Sequence, residues 1–561
     1  MNPRIGLCLT ALLATAPLPT AQDVGRSPVQ RSRPVARGEG SGGVAALEAP
    51  PAAAFPAEFR SIDGVGNNLD HPRWGAAGAK LLRLFEPDYA DGAHAPAGPD
   101  RASPRAISNA VHAQAGTLPN AAGASDFLWA WGQFLDHDVD ETPIGDPAEP
   151  FDIPVPAGDP WFDPSGTGAE LIPLDRSSYD VVDGVRQQVS LITAFIDASN
   201  VYGSDAARAA ELRTLDGTGR LKTSAGDLPP FNVNGFPNAP NEDPEYFLAG
   251  DVRANEQVVL TVLHTLFVRE HNHWAARASA LGADGELAYQ IARAVVGAEM
   301  QAITYREFLP VLLGRDALVP YAGYRAEVNA TVANGFATAG YRVGHTLLSP
   351  ELLRLAADGA VIPEGNLALS DAFFQPDELS SIGVEPYLRG LCTQRAQEVD
   401  PYVIDALRNF LFGPPGAGGF DLVSLNIQRG RDHGLPAYCE VREKLGLAPA
   451  LAFADVCSDP EVQADLASVY RRVEDVDAWV GLLSEDHAPA GMVGPTLRAL
   501  LANQFERLRD GDRFWYETYL PAPMVAFVER QTLAAVIRRN SSIGAELPDD
   551  VFHAPAGASS R

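Results

Sequence analysis

Residues 127–142, FLWAWGQFLDHDVDET, combine a helical pattern of apolar residues with a cluster of polar ones. The apolar residues recur at spacings of three and four, the period of a buried helical face; they are Phe127, Leu128, Trp131, Phe134 and Leu135. Within this run, Gln133, Asp136 and His137 stand at i, i+3 and i+4, so they project from one side of the helix. Burying such groups is costly unless each has a partner or a task, so this helix is a candidate site.

The composition restricts the classes of protein that need to be considered. The chain has 561 residues, a formal net charge of −29 and 46% hydrophobic residues. It is long enough for one large domain or several ordinary ones, with a normal apolar core. Nucleic acid is excluded as a partner because it requires a basic footprint. No run of about 18 apolar residues follows the N-terminal region, so no membrane span is expected. The oligomeric state is left open.

Both ends of the chain are predicted to lie outside the folded domain. Residues 1–21 combine a basic start, an apolar stretch and a small-residue exit, the pattern of a secretory signal peptide. The protein is therefore expected to be secreted, either extracellular or periplasmic. Residues 22–57 are predicted to be a flexible leader and residues 546–561 a flexible tail, because small and polar residues dominate them. One domain at 58–545 is the simplest account of the rest.

The pattern within 58–545 predicts a mainly α fold with long loops and little β structure. Strand-like runs are few and short, and Pro and Gly punctuate the connections. The segments predicted to be helical are 124–139, 253–281, 286–314, 325–346, 400–412, 434–445, 460–473, 494–509 and 529–538.

Three cysteines follow the predicted signal peptide: Cys392, Cys439 and Cys457. Two arrangements stay open. Export permits a disulfide, and Cys439 with Cys457 would close a short loop, contributing about 3 kcal/mol. Alternatively, all three are buried thiols. Neither arrangement gives a metal site.

A second polar pattern lies in residues 191–204, LITAFIDASNVYGS, where Thr193, Phe195, Asp197 and Ser199 alternate. In an extended loop these four residues would point to one side. Hydroxyls, a carboxylate and intervening carbonyls are the hard oxygen ligands that calcium prefers. The same alternation is also typical of an edge strand or a turn.

Arginine and histidine residues further along the chain have both functional and structural interpretations. Arg253 and Glu256 are three residues apart near a helix start, so both can face one ligand, although solvated side chains or an ion pair are more usual at this position. His264, His271 and His273 lack the glutamate of an HExxH zinc site, and are predicted to be packing or capping residues.

Several stretches, in one order along residues 58–545, resemble the animal-type haem peroxidases, the peroxidase–cyclooxygenase superfamily. They are WGQFLDHD at 131–138, the loop at 191–204, GDVRANEQ at 250–257, GYRVGHTLL at 340–348 and LNIQRGRDHGLP at 425–436. The resemblance implies a single large helical haem peroxidase domain with haem b as cofactor.

On one side of the haem, the resemblance implies catalytic roles for His137, Arg253 and Gln133. His137 would move the proton of hydrogen peroxide, Arg253 would stabilise charge, and Gln133 would help place a halide. Asp136 and Glu256 match the carboxylates that form ester bonds to haem methyl groups, which implies covalently held haem. Gln257 falls where some members have a methionine bonded to a haem vinyl group, and glutamine cannot form that link.

On the other side, the resemblance implies that His345 is the iron ligand and that Asn426 accepts its ring N–H. Arg342 and Arg429 would each meet a haem propionate. The resemblance also implies a calcium site that joins the helix at 127–142 to the loop at 191–204. Its ligands would be Asp138, Thr193, Phe195, Asp197 and Ser199.

The implied function is a secreted haem peroxidase that uses hydrogen peroxide to oxidise halides, pseudohalides or small phenolic donors through an oxo-ferryl intermediate. One alternative is a fatty-acid dioxygenase of the same superfamily. Those enzymes need a tyrosine three residues before the iron ligand, where this chain has Arg342, with Tyr341 four before. A second alternative is a non-catalytic adhesion or matrix protein. Such a protein could lose His137, Arg253 or His345, and all three are present.

Overall fold

The computed structural model describes residues 58–416 and 418–555, and its regular structure is mainly α-helical, as predicted. The signal peptide and leader predicted for residues 1–57 lie outside the described residues, as does the end of the predicted tail. The α-helices are Pro104–Val111, Phe127–Val139, Ser199–Tyr202, Ala206–Leu212, Val258–Ala280, Gly285–Ile303, Leu309–Leu312, Pro376–Ile382, Glu385–Thr393, Asp405–Arg408, Leu422–Asp432, Tyr438–Lys444, Pro460–Val469, Ala478–Ser484, Pro495–Asp510, Tyr516–Tyr519, Ala522–Val528 and Leu533–Asn540.

Tighter and wider helical turns and short hairpins complete the regular structure. The 3-10 turns are Ala225–Asp227, Tyr341–Thr346, Leu369–Asp371, Phe453–Asp455 and Val473–Asp475; the π turns are Thr304–Phe308 and Phe336–Gly340. The strands pair as antiparallel hairpins: Ile153–Pro154 with Leu171–Ile172, Tyr179–Val182 with Val185–Gln188, and Glu351–Leu352 with Leu367–Ala368.

The helix Phe127–Val139, here called the His137 helix, runs through the main hydrophobic core. Its Trp131 and Phe134 are fully buried and pack against Phe267 with ring centroids 5.7 and 5.2 Å apart. The indole of Trp131 also donates to the hydroxyl of Thr304 at 3.2 Å. Aromatic pairs of this kind contribute about 0.5–1.5 kcal/mol each. Together these contacts fix the rotation of the helix, and hence the direction of its polar residues.

The long helix, Val258–Ala280, begins later than the predicted start at residue 253. The side chain of Gln257 accepts a hydrogen bond from the Val259 backbone N–H and so caps the first turn. Arg253 and Glu256 therefore lie in the turn before the helix, facing the His137 helix.

Two predicted helices are correct only in part. Within 325–346, the second half is helical, but residues 325–333 are not, because the backbone at 332–334 pairs with Leu82: Leu82 N donates to Val332 O, and Asn334 N donates to Leu82 O. Within 400–412, only Asp405–Arg408 is helical. Leu422–Asp432, by contrast, forms a helix that the pattern missed, capped by the Asp421 carboxylate.

The cysteines decide between the two arrangements left open, whereas the C-terminal segment differs from expectation. Cys392, Cys439 and Cys457 are buried free thiols, so the second arrangement is found and the Cys439–Cys457 disulfide is not. The thiol of Cys439 instead faces two backbone carbonyls at 3.5 Å. Residues 546–555, assigned to a flexible tail, pack against the domain, where Val551 and Phe552 are fully buried. Among the described helices, none has the length and apolar character needed to cross a bilayer.

Candidate active site

One large cavity brings His137 and His345 together from segments far apart in the chain. About 1400 Å³ of it is free of protein atoms, counting the part that opens to solvent. Apolar side chains such as Leu312 and Phe373 line it together with a few charged ones, as is typical of cofactor pockets. The other predicted haem-site residues on its wall are Gln133, Asp136, Arg253, Glu256, Arg342 and Arg429.

Arg253 is buried beside His137 and held by a carboxylate that the sequence analysis missed. Its Nε and Nη2 donate to the two carboxylate oxygens of Asp251 at 2.9 and 2.8 Å, and Nη2 also donates to the Asp140 carbonyl at 2.9 Å. Burial opposes ionisation of Asp251, but the charge of Arg253 outweighs it and holds the Asp251 pKa below its usual range. An acidic residue two positions before an arginine is too common a pattern to have identified Asp251.

His137 lies next to this ion pair and is neutral. Its Nδ1 is 3.6 Å from Asp251 Oδ1, and it has no hydrogen-bond partner among the described residues. Burial, followed by the positive charge of Arg253, lowers the pKa of His137 well below its usual value, although Asp251 opposes this. A neutral imidazole beside a fixed cation can accept a proton and return it.

Two carboxyl groups and two glutamines form the adjoining wall. Gln257 Nε2 donates to Gln133 Oε1, and Gln133 Nε2 donates to Glu256 Oε1, both at 3.1 Å. Asp136 Oδ2 lies 3.8 Å from Arg253 Nη1. Burial raises the pKa of both Asp136 and Glu256 to about 7. Both carboxyls thus border the cavity, and each is part protonated near neutral pH.

Asn426 contacts the second cavity histidine, His345, with its amide nitrogen. Asn426 Nδ2 is 2.7 Å from His345 Nδ1, while Asn426 Oδ1 accepts from Arg342 Nη1 at 2.7 Å. The expected arrangement, in which the asparagine oxygen accepts the ring N–H, is therefore reversed here. The reason is that a guanidinium can only donate, so Arg342 takes the amide oxygen. Burial and the charge of Arg342 lower the pKa of His345 to about 3, so the ring is neutral, as metal ligation requires.

Arg429 is held at the cavity edge by a loop that the sequence analysis did not single out. Its Nη1 donates to Asp175 O, Ser177 Oγ and Asp432 Oδ2 at 2.9, 2.8 and 3.0 Å. His433 contacts the same Ser177 hydroxyl at 2.7 Å. Ser177 and His433 also line the cavity.

The predicted calcium ligands surround the residue that follows His137. The carboxylate of Asp138 accepts from the backbone N–H groups of Asp197 and Ala198 at 3.1 Å, and from Ser199 Oγ at 2.8 Å. Thr193 Oγ1 donates to Asp197 Oδ1 at 3.1 Å. Burial and the charge of Asp197 raise the pKa of Asp138 to about 8. Burial also raises the pKa of Asp197.

Asp197 Oδ2 is buried with no hydrogen bond among the described residues, and Arg60 Nε lies 3.9 Å from it. Two buried carboxylates are costly to keep without a compensating charge, and one of their oxygens accepts no hydrogen bond, so this group of residues suits a cation. The described residues contain no group of three or more His, Cys, Asp or Glu able to hold a metal. A cation here would therefore depend on hydroxyl and carbonyl oxygens as well, which calcium accepts. Phe195 lies in the same loop, with its ring 5.2 Å from the Arg60 guanidinium.

The histidines of the long helix serve packing, consistent with the sequence interpretation. His271 contacts the Tyr202 hydroxyl and the Gly219 carbonyl, each at 2.9 Å. The His264 ring packs edge-on against Phe134 at 5.1 Å. Neither ring belongs to a metal cluster within the described part of the chain.

Comparison with known proteins assigns the family. The sequence model of the animal haem peroxidases matches residues 59–552. The chain is 37% identical to Peroxinectin A of Dictyostelium discoideum, over 88% of this chain and 96% of that protein. It is 36% identical to the Peroxidasin homolog of Mus musculus over 89% of this chain, but it spans only 38% of that protein. Thyroid peroxidase of Sus scrofa is 35% identical, over 88% and 60% of the two chains.

Solved structures agree with this assignment. Peroxidase A from Dictyostelium discoideum superposes with a TM-score of 0.82 at 35% identity, covering 89% of this chain and all of that one. The fatty acid alpha-dioxygenase of Oryza sativa has a TM-score of 0.75 at 21% identity, over 88% and 87% of the two chains, which shows a shared fold alone. The resemblance found in the sequence is thereby confirmed, and the chain belongs to the animal haem peroxidase family.

Proposed function

We propose that this protein uses hydrogen peroxide to oxidise halides, pseudohalides or small phenolic donors at a bound haem. One observation carries the proposal: two neutral imidazoles, His137 and His345, border a single cavity of cofactor size, and the first lies beside a buried guanidinium. That combination serves peroxide chemistry, in which a base and a fixed positive charge must act at the same place.

The residues on the cavity wall fit a haem. His345 has Nδ1 occupied by Asn426, which leaves Nε2 as the ring nitrogen for iron. Arg342 and Arg429 are cations suited to the two propionates, and Asp136 and Glu256 are the carboxyls suited to ester bonds with ring methyls. When bound, haem supplies the redox chemistry that couples peroxide reduction to oxidation of the donor.

The proposed mechanism assigns the proton steps to His137. As a neutral base, His137 Nε2 takes the proton from the inner oxygen of peroxide and then returns it to the outer oxygen, which leaves as water. Arg253 stabilises the negative charge that develops on the departing oxygen. Asp251 holds Arg253 in place through two hydrogen bonds, and Gln133, held between Glu256 and Gln257, helps to position the donor anion.

Arg342 and Asn426 are proposed to rearrange when haem binds. A propionate would compete with the Asn426 oxygen for Arg342, because a charged acceptor binds a guanidinium more strongly than an amide does. The freed amide can then turn so that its oxygen accepts the N–H at His345 Nδ1. This bond would orient the ring and make it a stronger donor to iron.

A calcium ion between Asp138 and the loop of Thr193, Phe195, Asp197 and Ser199 is a further part of the proposal. It is supported by the two buried carboxylates and by the Asp197 oxygen that accepts no hydrogen bond among the described residues. The ion would fix the rotation of the His137 helix, since Asp138 directly follows the proposed base. Secretion, a signal peptide at 1–21 and a catalytic domain starting at 58 are likewise proposed, from the sequence pattern.

The test is steady-state peroxide consumption by haem-loaded enzyme with chloride, bromide, iodide, thiocyanate and a phenol. Saturable turnover with at least one donor is expected. Full haem loading without turnover on any donor would overturn the proposal and favour the non-catalytic alternative. Oxygen uptake with a polyunsaturated fatty acid provides the second arm, and none is expected.

A further inference from the structure

A series of packed aromatic rings connects the haem cavity to a separate pocket at the protein surface. Tyr341, on the cavity wall, has its ring centroid 5.6 Å from that of Phe505. Phe505 is 6.1 Å from Tyr305, and Tyr305 is 4.8 Å from Trp515. Tyr305 and Trp515 both line the second pocket, so the ring series has one end at each site. Tyr321, beside Trp515 at 5.8 Å, lines it too.

The surface pocket has the features of a binding site for an aromatic anion. Its volume is about 690 Å³, including the part open to solvent. Tyr321 is partly exposed, and Trp515, only 2% exposed, forms part of the wall. Arg306, Arg315 and Arg509 bring positive charge, although Arg306 pairs with Glu529 at 3.8 Å and Arg509 with Asp510 at 2.7 Å. Arg509 is only 5% exposed, and its Nη2 is buried with no hydrogen-bond partner among the described residues. A buried, unsatisfied guanidinium N–H is costly and would be satisfied by a carboxylate oxygen of a ligand.

The proton partners along the ring series differ, and they single out Trp515. The Tyr305 hydroxyl donates to the Phe505 backbone carbonyl, a very weak base, and the Tyr341 hydroxyl has no partner among the described residues. Neither phenol can readily lose its proton when it is oxidised. The Trp515 indole N–H instead faces the Glu517 carboxylate at 3.4 Å. Trp515 is thus the one ring of this series with a base beside its acidic proton.

We propose that the surface pocket binds phenols that carry a carboxylate, and that Trp515 transfers single electrons from them through Tyr305, Phe505 and Tyr341 to the haem cavity. This inference rests on the proposed peroxidase function, which supplies the oxidant. It adds a second donor site, distinct from the one beside Gln133 where small anions react.

The electrons and protons balance in each cycle. Trp515 gives one electron inward and its N–H proton to Glu517. The bound phenol then gives one electron to the indole radical, which recovers its proton from Glu517, and the phenol releases its own proton to water. After two such cycles, two phenols and one hydrogen peroxide have become two phenoxyl radicals and two waters. Tyr305, Phe505 and Tyr341 bridge the tunnelling path between Trp515 and the cavity and are not themselves oxidised.

The experiment compares three haem-loaded enzymes: wild type, Trp515→Phe and Trp161→Phe. Trp161 is 42% exposed and lies outside the ring series, so its replacement controls for loss of a tryptophan. With 4-hydroxycinnamate as donor, Trp515→Phe is expected to lower kcat/KM by about tenfold or more, while iodide oxidation changes by less than about twofold. Trp161→Phe is expected to change neither.

A second readout does not depend on donor turnover. Wild-type enzyme treated with peroxide and a nitroso spin trap, without donor, is digested and its peptides are analysed by mass spectrometry. The adduct is expected on Trp515, or on Tyr321 beside it, in wild type and in Trp161→Phe, and is expected to be lost in Trp515→Phe. Adducts confined to other residues in wild type would overturn the inference.

The exposed residues keep the proposal testable if Trp515→Phe does not fold. Glu517→Gln removes the proton acceptor at the surface and is expected to slow 4-hydroxycinnamate oxidation but not iodide oxidation. Arg306→Ala with Arg315→Ala is expected to raise KM for 4-hydroxycinnamate and not for neutral 4-methylphenol. Unchanged 4-hydroxycinnamate kinetics in both sets would overturn the inference. A wild-type enzyme that oxidises neither iodide nor a phenol would instead mean that the proposed function itself has failed.

Discussion

Replacing Asp251 with asparagine tests whether the buried ion pair at Arg253 organises the site. Asparagine keeps one oxygen, which can still accept from the Arg253 Nε. It places an NH2 group against Arg253 Nη2, however, where two donors now face each other. The side chains of Asp251 and Arg253 are only 1% and 6% exposed, so the guanidinium loses its counter-charge in a dry environment.

The size of the effect follows from the remaining partners of Arg253. Removing one partner of a buried pair costs about 3–5 kcal/mol. The Asp140 carbonyl at 2.9 Å and the Asp136 carboxyl at 3.8 Å remain, so we expect the lower end, about 3 kcal/mol. Arg253 is then drawn toward Asp136, and a shift of about 1 Å in a catalytic group can cost about a hundredfold in rate.

The assay is stopped-flow mixing of the haem-loaded variant with peroxide, recorded at the Soret band, alongside denaturant unfolding. Asp251→Glu, which keeps the charge, is the matched control and is expected to retain more of both rate and stability. An Asp251→Asn enzyme that reacts with peroxide as fast as wild type, and unfolds at the same denaturant concentration, would refute the assigned role of the ion pair.

Three further variants test the other parts of the site. His137→Ala is expected to keep haem, because His345 is the proposed ligand, but to slow the reaction of haem with peroxide by about 10²- to 10⁴-fold; a normal stopped-flow rate would contradict the role of His137 as base. Asp136→Asn combined with Glu256→Gln is expected to release haem into acidified organic solvent that does not extract it from wild type. In the haem-free protein, the pKa of both carboxyls is raised to about 7. Their contribution to stability is therefore complete below about pH 4 and is lost as the pH rises through 7. The double variant is expected to flatten this pH dependence of unfolding, and an unaltered profile would contradict the role of the two carboxyls. Calcium is expected to raise the melting temperature of the chelator-treated wild type, because calcium at a hundred times its Kd would stabilise the fold by about 2.7 kcal/mol. Asp138→Asn is expected to abolish this rise. An equal rise in the variant would exclude Asp138 as a ligand.

The His137 helix could be read from the sequence because its aromatic residues repeat with the helical period and its polar residues interrupt them at one side. The same reasoning failed for the first half of 325–346, where the backbone pairs with Leu82. Such pairing depends on a segment more than two hundred residues away and leaves no periodic signal. The helix Leu422–Asp432 was missed by the pattern, and Asn426, which it carries, was identified only through the family resemblance.

The candidate site divides in the same way. Residues that match the family's stretches, such as His137, Arg253 and His345, could be named in advance, and the structure brings them to one cavity. Ser177 could not be named, because it contacts residues distant in sequence. Asp251 could not be named either, because an acidic residue two positions from an arginine is a common pattern. The direction of the Asn426 amide also escaped prediction, since it is decided by competition between Arg342 and His345 for one side chain.

Asp136, His137 and Asp138 are consecutive, yet they face the cavity edge, the Asp251–Arg253 pair and the loop at 193–199 respectively. Successive helical residues point about 100 degrees apart, so one turn of backbone serves three separate surroundings. Inserting or deleting a single residue before Asp136 would turn all three side chains together. The proposed cofactor attachment, proton transfer and ion binding would then be lost together, so the length of this helix would be as restricted as the identity of its residues.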